Sequence, residues 1–310
     1  MLIIPPLKTR CGFTVTAIVC FSNEVKKVFV LEDESIRYAV IGDPVAHSVS
    51  PAMQNAGFMA AGLEACYGKY HVKPEDLPEF VEFARQNLLG FNATVPHKGA
   101  LLDLLDEIAP AAQAARSVNT VMVRDGKLFG DSTDGYGLET ALKEAFQLNI
   151  SGARIVMLGA GGAAQATAFE FVQRGAAELV IINRTRSKAE ALAEHLAGQG
   201  TVVSALGNDD IAEVEAAVKA CDVVIQATSS GLKAGDVPPV PLELLKNAPA
   251  VFDMIYHSTP VQEYARQQNI PCADGRGMLL HQGAKSFTLW TNRPAPVAAM
   301  RAALDRALNK

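Results

Sequence analysis

The apolar positions of this chain follow two periods that alternate along most of its length. After residue 36, short runs rich in β-branched residues alternate with longer stretches in which apolar residues recur at helical spacing. This alternation is typical of a largely parallel sheet with helices on both faces, and it predicts an α/β fold. The predicted strands are 37–43, 66–72, 90–95, 117–123, 154–158, 179–183, 201–205, 223–227 and 251–255, and helices are predicted at 51–61 and 77–87.

The length of the chain and the order of these elements predict two domains. A chain of 310 residues exceeds what one ordinary core contains. The amphipathic stretch 135–149 leads into the strongly apolar strand 154–158 and marks the junction. From Met278 onward the sequence is helical, with breaks at Pro294 and Pro296, so we expect this end to pack back on the first domain. The predicted domains are 37–137 completed by 278–310, then 138–277 as an insertion, with 1–36 as an N-terminal extension.

Composition and charge exclude several classes of function. The formal net charge is -5 and the basic residues are scattered, so the stripe of charge that a nucleic-acid backbone needs is missing. No apolar run approaches the roughly 20 residues of a membrane span, so no membrane association is predicted. The five cysteines lie far apart, without metal-ligand or redox spacing, and we interpret them as buried thiols in a reducing cytoplasm, with no metal site. The oligomeric state stays open, a homodimer included.

The first 36 residues leave two interpretations open. The opening MLIIPPLKTR and the apolar segment after it faintly imitate a secretion signal, but no small-residue cleavage site follows and residues 23–27 are polar. We favour a cytoplasmic protein with an extra N-terminal segment. An artefact of the assigned start site is the alternative.

A glycine-rich loop follows the apolar strand 154–158. Residues 159–164 read Gly-Ala-Gly-Gly-Ala-Ala and open an alanine-rich helix, which matches the pattern G-x-G-x-x-A. The glycines permit a tight turn and let backbone N–H groups approach a pyrophosphate. Glycine-rich strand ends also occur where helices pack closely, but here strand, loop and helix stand in the order that a dinucleotide site requires.

The next strand ends in a basic cluster. Roughly 20 residues past the glycines, an NAD-specific protein usually carries Asp or Glu to bind the ribose hydroxyls. Residues 183–188 instead read Asn-Arg-Thr-Arg-Ser-Lys. Two guanidinium groups and an ammonium suit a 2'-phosphate dianion and serve an unphosphorylated ribose poorly. A basic surface turn is the alternative, but the position of the cluster predicts NADP(H) as the cofactor.

Two charged residues in the first half could serve a hydride transfer to a ketone. Such a transfer leaves negative charge on the carbonyl oxygen, so the site needs a cation or proton donor that a partner holds in place. Lys98 follows the predicted strand 90–95, at the sheet edge where open α/β folds bind ligands. Asp134 lies in a turn-rich segment before the amphipathic stretch. Taken singly, each is more often a solvated charge or a turn residue.

Several neutral polar residues could bind hydroxyl or carboxylate groups of a substrate. Asn92 and Thr94 are two positions apart on a predicted strand and therefore point to the same face. Ser48 and Ser50 stand just before a predicted helix, whose positive end favours a carboxylate. A plain N-cap followed by a first-turn proline explains Ser50 and Pro51 equally well.

Short motifs occur in one order between residues 37 and 290. They are 40–44 (Val-Ile-Gly-Asp-Pro), 47–51 (His-Ser-Val-Ser-Pro), 92–98, 117–120, 131–137, the glycine loop, 183–185, 253–256 and 277–284. In this order they resemble the shikimate dehydrogenase family. The resemblance implies a substrate-binding domain with a mainly parallel sheet and a Rossmann-type NADP-binding domain, separated by a cleft. It implies NADPH-dependent reduction of 3-dehydroshikimate to shikimate, in the pathway to the aromatic amino acids.

The resemblance also implies roles for individual residues. Lys98 would be the catalytic acid/base, and Asp134 its hydrogen-bonded partner that also contacts a substrate hydroxyl. The substrate carboxylate would be bound by Ser48, Ser50 and Tyr256, with Thr94 nearby, and the ring hydroxyls by Asn92, Asn119 and Gln282. The pyrophosphate would contact Gly159, Ala160, Gly161, Gly162 and Ala163; the 2'-phosphate Asn183, Arg184, Thr185, Arg186 and Lys188; and the nicotinamide Met254 and Gly275.

The chain departs from the family pattern at three places. Ala93 replaces a valine and should affect only packing, Ser132 replaces an asparagine beside Asp134, and His257-Ser258 replaces Asn-Pro, which would reshape that loop. A quinate or quinate/shikimate dehydrogenase is one alternative function, and a non-catalytic ligand sensor is another. The basic cluster argues against the NAD-linked quinate type, and retention of both Lys98 and Asp134 argues against a sensor.

Overall fold

The computed structural model describes residues 17–21, 24–29, 35–233 and 235–309, which form two compact units. The first unit contains the described residues up to Thr133 and those from Gly283 onward, and the second is Asp134–Gln282. Strands β1 (Ala17–Phe21) and β2 (Glu24–Val28) pair antiparallel. The rest of the predicted extension 1–36 lies mostly outside the described residues. Within the described part of the chain, no helix is long and apolar enough to cross a membrane.

A six-stranded mixed sheet forms the centre of the first unit. Its strands are β3 (Ile36–Gly42), β4 (Cys66–His71), β5 (Gly90–Ala93), β6 (Glu107–Ile108), β7 (Thr120–Arg124) and β8 (Lys127–Asp131). Their order across the sheet is β4-β3-β5-β7-β8-β6. Strands β3, β4 and β5 run parallel, whereas β7 is antiparallel to both of its neighbours. The parallel part places the carboxyl ends of β3 and β5 side by side.

The hairpin of β7 and β8 was not predicted. Its turn residues Asp125 and Gly126 have φ values of 51° and 73°. An Asp-Gly pair with positive φ at both positions is the favoured two-residue hairpin turn, so the sequence carried a usable signal between its alternating apolar residues. The hairpin ends at Asp131, just before the boundary between the two units.

The second unit contains a fully parallel sheet. Its strands are β9 (Arg154–Leu158), β10 (Glu178–Asn183), β11 (Val202–Gly207), β12 (Val223–Gln226), β13 (Val251–Asp253) and β14 (Cys272–Asp274). Their order β11-β10-β9-β12-β13-β14 is the doubly wound order of a dinucleotide-binding fold. The strand order reverses between β9 and β12, which is where such folds bind ligands. The predicted α/β class, with one Rossmann-type unit, is confirmed.

Helices cover both sheets. They are α1 (Ser50–Ala60), α2 (Leu77–Asn87), α3 (Pro110–Ala114), α4 (Asp134–Phe146), α5 (Gly162–Gln173), α6 (Arg186–Leu196), α7 (Ile211–Ala220), α8 (Pro260–Gln267), α9 (Arg276–Thr291) and α10 (Val297–Leu308). In α2, apolar residues at helical spacing are buried, among them Phe80, which meets Phe91 of the sheet edge-to-face at 5.3 Å. In β9, the residues from Ile155 to Leu158 are buried, as a central parallel strand requires.

Candidate active site

The turn that carries Lys98 is fixed by backbone hydrogen bonds of the first unit. The amide of Thr94 donates to the carbonyl oxygen of Ile41 at 2.9 Å. The amide of His97 donates to the carbonyl oxygen of Thr94 at 3.0 Å. The carbonyl oxygen of Lys98 accepts from the amide of Val118 at 2.9 Å. Lys98 is half-buried, and it lies beyond the carboxyl end of β5.

Gly42 makes room for Thr94 at the adjacent strand end. A Cβ atom at position 42 would lie 2.5 Å from Cγ2 of Thr94. The end of β3 can therefore approach Thr94 only because residue 42 is glycine. Thr94 itself is half-buried.

Asn92 belongs to a group of hydrogen-bonded side chains inside the first unit, which we call the buried polar cluster. Its members are Tyr67, Asn92, Asn119, Thr120, Thr133 and Ser286. The Asn92 Oδ1 accepts from the Tyr67 hydroxyl at 2.7 Å. The Asn92 amide lies 3.0–3.1 Å from three acceptors, which are the Asn119 carbonyl oxygen and the hydroxyls of Thr120 and Ser286. Because an amide has only two protons, protein acceptors already occupy both of them.

Asn119 is also enclosed within the buried polar cluster. Its Oδ1 accepts from the Thr133 amide at 2.8 Å, and its Nδ2 donates to the Thr133 hydroxyl at 3.0 Å. Only 2% of Asn119 is exposed. The two asparagines predicted to read ring hydroxyls therefore lie together, and Asn119 binds Thr133, the residue before Asp134. The sequence did not indicate Thr133 or Ser286 as their partners.

Ser48 and Ser50 lie where a loop held by Lys69 leads into α1. The Nζ of Lys69 donates to the carbonyl oxygen of Ala46 at 2.7 Å and lies 3.5 Å from that of Ser48. Ser50 is the first residue of α1 and Val49 is its N-cap, so Ser50 is not the simple N-cap that the sequence allowed. Both serines are half-buried. A carboxylate at this point would meet two hydroxyls, a helix N-terminus and a nearby ammonium group.

Asp134 begins α4 in the second unit, and the next residue packs on a buried carboxylate. A Cβ atom on Gly135 would overlap the carboxyl group of Glu170. Glu170 is 8% exposed and its Oε2 lies 3.2 Å from Nε of Arg174, which also pairs with Glu139. Burial raises the pKa of Glu170, Arg174 lowers it, and the negative charge of Asp134 raises it further. The first turn of α4 is thus coupled electrostatically to α5.

The glycine loop contains one glycine that the fold requires and two that it does not. Gly159 has a φ of 119°, and a Cβ atom there would lie 3.0 Å from the carbonyl oxygen of Ala227, so backbone conformation and space both require glycine. Gly161 has a φ of -82°, and a Cβ atom on Gly161 or Gly162 would meet nothing within 4 Å. Neither the backbone nor the neighbouring protein atoms explain these two glycines. Together with Ala160 and Ala163, they leave the N-terminus of α5 open to a ligand.

The three cations of the basic cluster differ in their partners. Arg186 lies 3.0 and 2.8 Å from the two carboxylate oxygens of Asp210, and its Nε donates to Glu190 at 3.1 Å. Among the residues that the structure describes, Arg184 and Lys188 have no ion pair or side-chain hydrogen bond, and both are exposed. Two of the three predicted phosphate-binding cations are therefore available, and the third is paired with acidic residues that the sequence did not indicate.

Asn183 shapes the turn between these cations. It ends β10, and its Nδ2 donates to the carbonyl oxygen of Thr185 at 2.9 Å. Thr185 is the N-cap residue of α6. The turn therefore has its own internal bond, and the predicted phosphate-binding residues surround a helix N-terminus.

Met254 and Gly275 lie against each other at the carboxyl ends of β13 and β14. A Cβ atom on Gly275 would overlap the carbonyl oxygen of Met254, and the Gly275 amide donates to the carbonyl oxygen of Ile255 at 3.3 Å. The structure thus brings together the two residues predicted for the nicotinamide. Only glycine permits this approach.

The loop that departs from the family pattern at His257 and Ser258 is held at both ends. Asp253, which is fully buried, accepts from the Ile255 amide at 2.9 Å and from the Thr259 hydroxyl at 2.6 Å. The Nε2 of Gln262 donates to the carbonyl oxygen of His257 at 2.9 Å. Tyr256, predicted to bind the substrate carboxylate, is exposed on this loop.

Gln282 lies on α9, where that helix crosses α4. A Cβ atom on Gly137 would lie 2.7 Å from the carbonyl oxygen of Met278 and 2.8 Å from the backbone nitrogen of Gln282. The His281 ring lies 2.7 Å from the carboxylate of Glu144 across the same crossing. Gly137 therefore allows the helix that begins with Asp134 to pack closely against the helix that carries Gln282.

Models of known protein families match three parts of the chain. The substrate-binding domain of shikimate dehydrogenase matches residues 40–121, shikimate / quinate 5-dehydrogenase matches 140–234, and the shikimate 5'-dehydrogenase C-terminal domain matches 275–304. The shikimate dehydrogenase (NADP(+)) of Magnetococcus marinus is 39% identical over 277 residues, covering 88% of this chain and 96% of that protein.

Solved structures are similar over the same span. The shikimate 5-dehydrogenase of Thermus thermophilus, in complex with NADP(H) and shikimate, has a TM-score of 0.78 at 34% identity, covering 88% of this chain and 99% of that one. The quinate dehydrogenase of Corynebacterium glutamicum, in complex with NAD, has a TM-score of 0.77 at 28% identity, covering 88% of this chain and 99% of that one. This chain therefore belongs to the shikimate dehydrogenase family.

Proposed function

We propose that the protein catalyses the reversible NADPH-dependent reduction of 3-dehydroshikimate to shikimate. The observation that carries the proposal is the 39% identity to an NADP(+)-linked shikimate dehydrogenase over 88% of the chain. Lys98 and Asp134, the proposed acid/base and its partner, lie in two separate motifs of the family, and both are present. Mere binding of a ligand does not need this pair of groups, which favours an enzyme over a sensor.

The proposed substrate-binding residues fall into two groups, one for the carboxylate and one for the ring hydroxyls. Ser48 and Ser50, beside the start of α1 and held by Lys69, bind the carboxylate, with Tyr256 and Thr94 as further contacts. Asn119 and Gln282 read the ring hydroxyls. Asn92 contacts a ring hydroxyl through Oδ1, because its amide protons are already bound within the buried polar cluster.

The cofactor-binding residues are proposed in the second unit. The N–H groups between Gly159 and Ala163 bind the pyrophosphate, which is supported by the open space above Gly161 and Gly162. Arg184 and Lys188 bind the 2'-phosphate, with Asn183 and Thr185 shaping the turn. Met254 and Gly275 contact the nicotinamide.

The chemistry needs a hydride and a proton. When bound at the residues named above, NADPH would supply the hydride that the carbonyl carbon of the substrate accepts. The Lys98 ammonium gives a proton to the carbonyl oxygen, so that the ketone becomes an alcohol and the lysine becomes a neutral amine. Asp134 is the carboxylate that stabilises the protonated form of this acid. In the reverse direction the amine accepts the proton from the hydroxyl.

One set of assays tests the function. Purified protein is assayed with shikimate and with quinate, each with NADP+ and with NAD+, and kcat/KM is measured for all four combinations. We expect shikimate with NADP+ to give the highest value. A higher value for quinate with NAD+ would instead favour a quinate dehydrogenase, as in the Corynebacterium glutamicum relative. Binding of shikimate without turnover in any combination would favour the sensor.

A further inference from the structure

Arg186 is paired with a carboxylate at the sheet edge where the 2'-phosphate is proposed to bind. Its guanidinium lies 3.0 and 2.8 Å from the two oxygens of Asp210. The same carboxylate accepts from the Gly207 amide at 2.7 Å, which fixes its position at the end of β11. Gly207 is the register partner of Asn183, so Asp210 follows the strand next to the one that leads into the basic cluster.

An unpaired carboxylate at this edge would oppose the proposed cofactor. A negative charge beside the 2'-phosphate repels that dianion and leaves an unphosphorylated ribose unaffected. Arg186 is a poor candidate for a direct phosphate ligand, because two acidic residues, Asp210 and Glu190, already satisfy its guanidinium. Arg184 and Lys188 have no such partners among the described residues.

We propose that Arg186 determines cofactor selectivity indirectly, by pairing with Asp210 and neutralising its charge beside the 2'-phosphate site. In this arrangement Arg184 and Lys188 contact the phosphate, and Arg186 removes a negative charge that would repel it. The inference rests on the proposed function for the identity of the cofactor, and it adds a selectivity role for Asp210.

A direct and an indirect role for Arg186 differ in their dependence on Asp210. If Arg186 only neutralises Asp210, its loss matters because a carboxylate is released, and removing that carboxylate restores selectivity. If Arg186 contacts the phosphate, its loss removes a contact that no change at Asp210 can replace. A double-mutant cycle separates these cases, since it measures the coupling between the two side chains.

The experiment uses R186A, D210N, R186A/D210N and the matched pair R184A and R184A/D210N. For each, kcat/KM with NADP+ and with NAD+ is measured at saturating shikimate, and the ratio is compared with that of the unchanged protein. We expect R186A to lower the NADP+/NAD+ ratio on the order of tenfold, from one added charge near the dianion. R186A/D210N should return to the original ratio, whereas R184A/D210N should stay as low as R184A.

Two results would overturn the inference. One is an R186A/D210N ratio as low as that of R186A, which would make Arg186 a direct ligand. The other is an R186A ratio of NADP+ to NAD+ activity equal to that of the unchanged protein. A lower melting temperature of R186A would then make the ion pair a purely structural link between α6 and the start of α7. If no variant oxidises shikimate, the same cycle is measured by the binding of NADPH and NADH through nicotinamide fluorescence. The inference can thus be judged even if the proposed reaction is wrong.

Discussion

Lys69 donates a hydrogen bond from its Nζ to the carbonyl oxygen of Ala46 at 2.7 Å, two residues before Ser48. This contact connects β4 to the loop that carries Ser48 and leads into α1 at Ser50, the two proposed carboxylate-binding serines. The contact orders the loop and places a positive charge beside it. Lys69 was not among the residues that the sequence indicated, because its position on a strand carries no motif.

Replacing Lys69 by Met should weaken substrate binding more than catalysis. A hydrogen bond to a charged group contributes about 1.5–3 kcal/mol, so we expect KM for shikimate to rise on the order of tenfold, with kcat changed far less. Steady-state kinetics with NADP+ measures both constants. The exposed Lys73 provides the control, since Lys73→Met removes the same charge without touching the loop. A fall in kcat at constant KM would contradict a role in binding.

Lys98→Ala should have the opposite kinetic signature. A proton donor acts in the transition state, so we expect kcat to fall by roughly 10²–10⁴-fold while KM for shikimate changes little. The same steady-state assay applies, and circular dichroism verifies that the variant is folded. A large rise in KM at unchanged kcat would make Lys98 a binding residue instead.

The sequence was sufficient to predict the elements whose buried residues recur at a clear spacing. Helix α2 has the predicted bounds because its buried residues recur at helical spacing, and β9 was recognisable because it is apolar on both faces. The short strands β6 and β14 were missed, since two or three residues carry too little pattern. The hairpin of β7 and β8 was missed although Asp125-Gly126 is a known turn pair.

The candidate site was predictable only where a motif fixes a backbone position. The glycine loop and the turn after β10 could be located in this way. The partners of site residues come from distant parts of the chain and leave no local signal. Ser286 is 194 positions from Asn92, and Asp210 is 24 positions from Arg186, so only the folded chain reveals that these side chains meet. The pairing of Arg186 is the clearest example, since the sequence shows its charge but not what neutralises it.

Two alanine substitutions in the glycine loop should separate ligand binding from folding. Gly161→Ala adds a Cβ atom in open space at an ordinary φ, so we expect an unchanged melting temperature but weaker NADPH binding. Gly159→Ala requires a φ of 119°, so it should lower the melting temperature as well. Thermal unfolding without ligand and titration with NADPH measure the two effects. Unaltered NADPH affinity in Gly161→Ala would contradict a pyrophosphate at this loop.

Glu170 should make stability depend on pH in a defined direction. Burial raises its pKa in the folded protein above the ordinary value of 4.5, despite the neighbouring Arg174. A carboxyl group with a raised folded pKa contributes stability that is fully present below the unfolded pKa and is lost as pH rises through the folded pKa. Glutamine resembles the protonated acid at every pH. The melting temperature of Glu170→Gln minus that of the unchanged protein should therefore increase as pH is raised from about 4 toward 8.

Arg174 provides the second arm of this test. Its charge lowers the pKa of Glu170, so its removal raises that pKa further and leaves a buried carboxylate unpaired at neutral pH. Arg174→Met should consequently lose more stability at pH 8 than at pH 4, and adding Glu170→Gln should remove most of that extra loss. Melting temperatures of the three variants across this range give the comparison. The opposite outcome is a melting-temperature difference between Glu170→Gln and the unchanged protein that shrinks as pH rises. It would mean that the fold stabilises the charged form of Glu170, so that the ion pair with Arg174 outweighs burial.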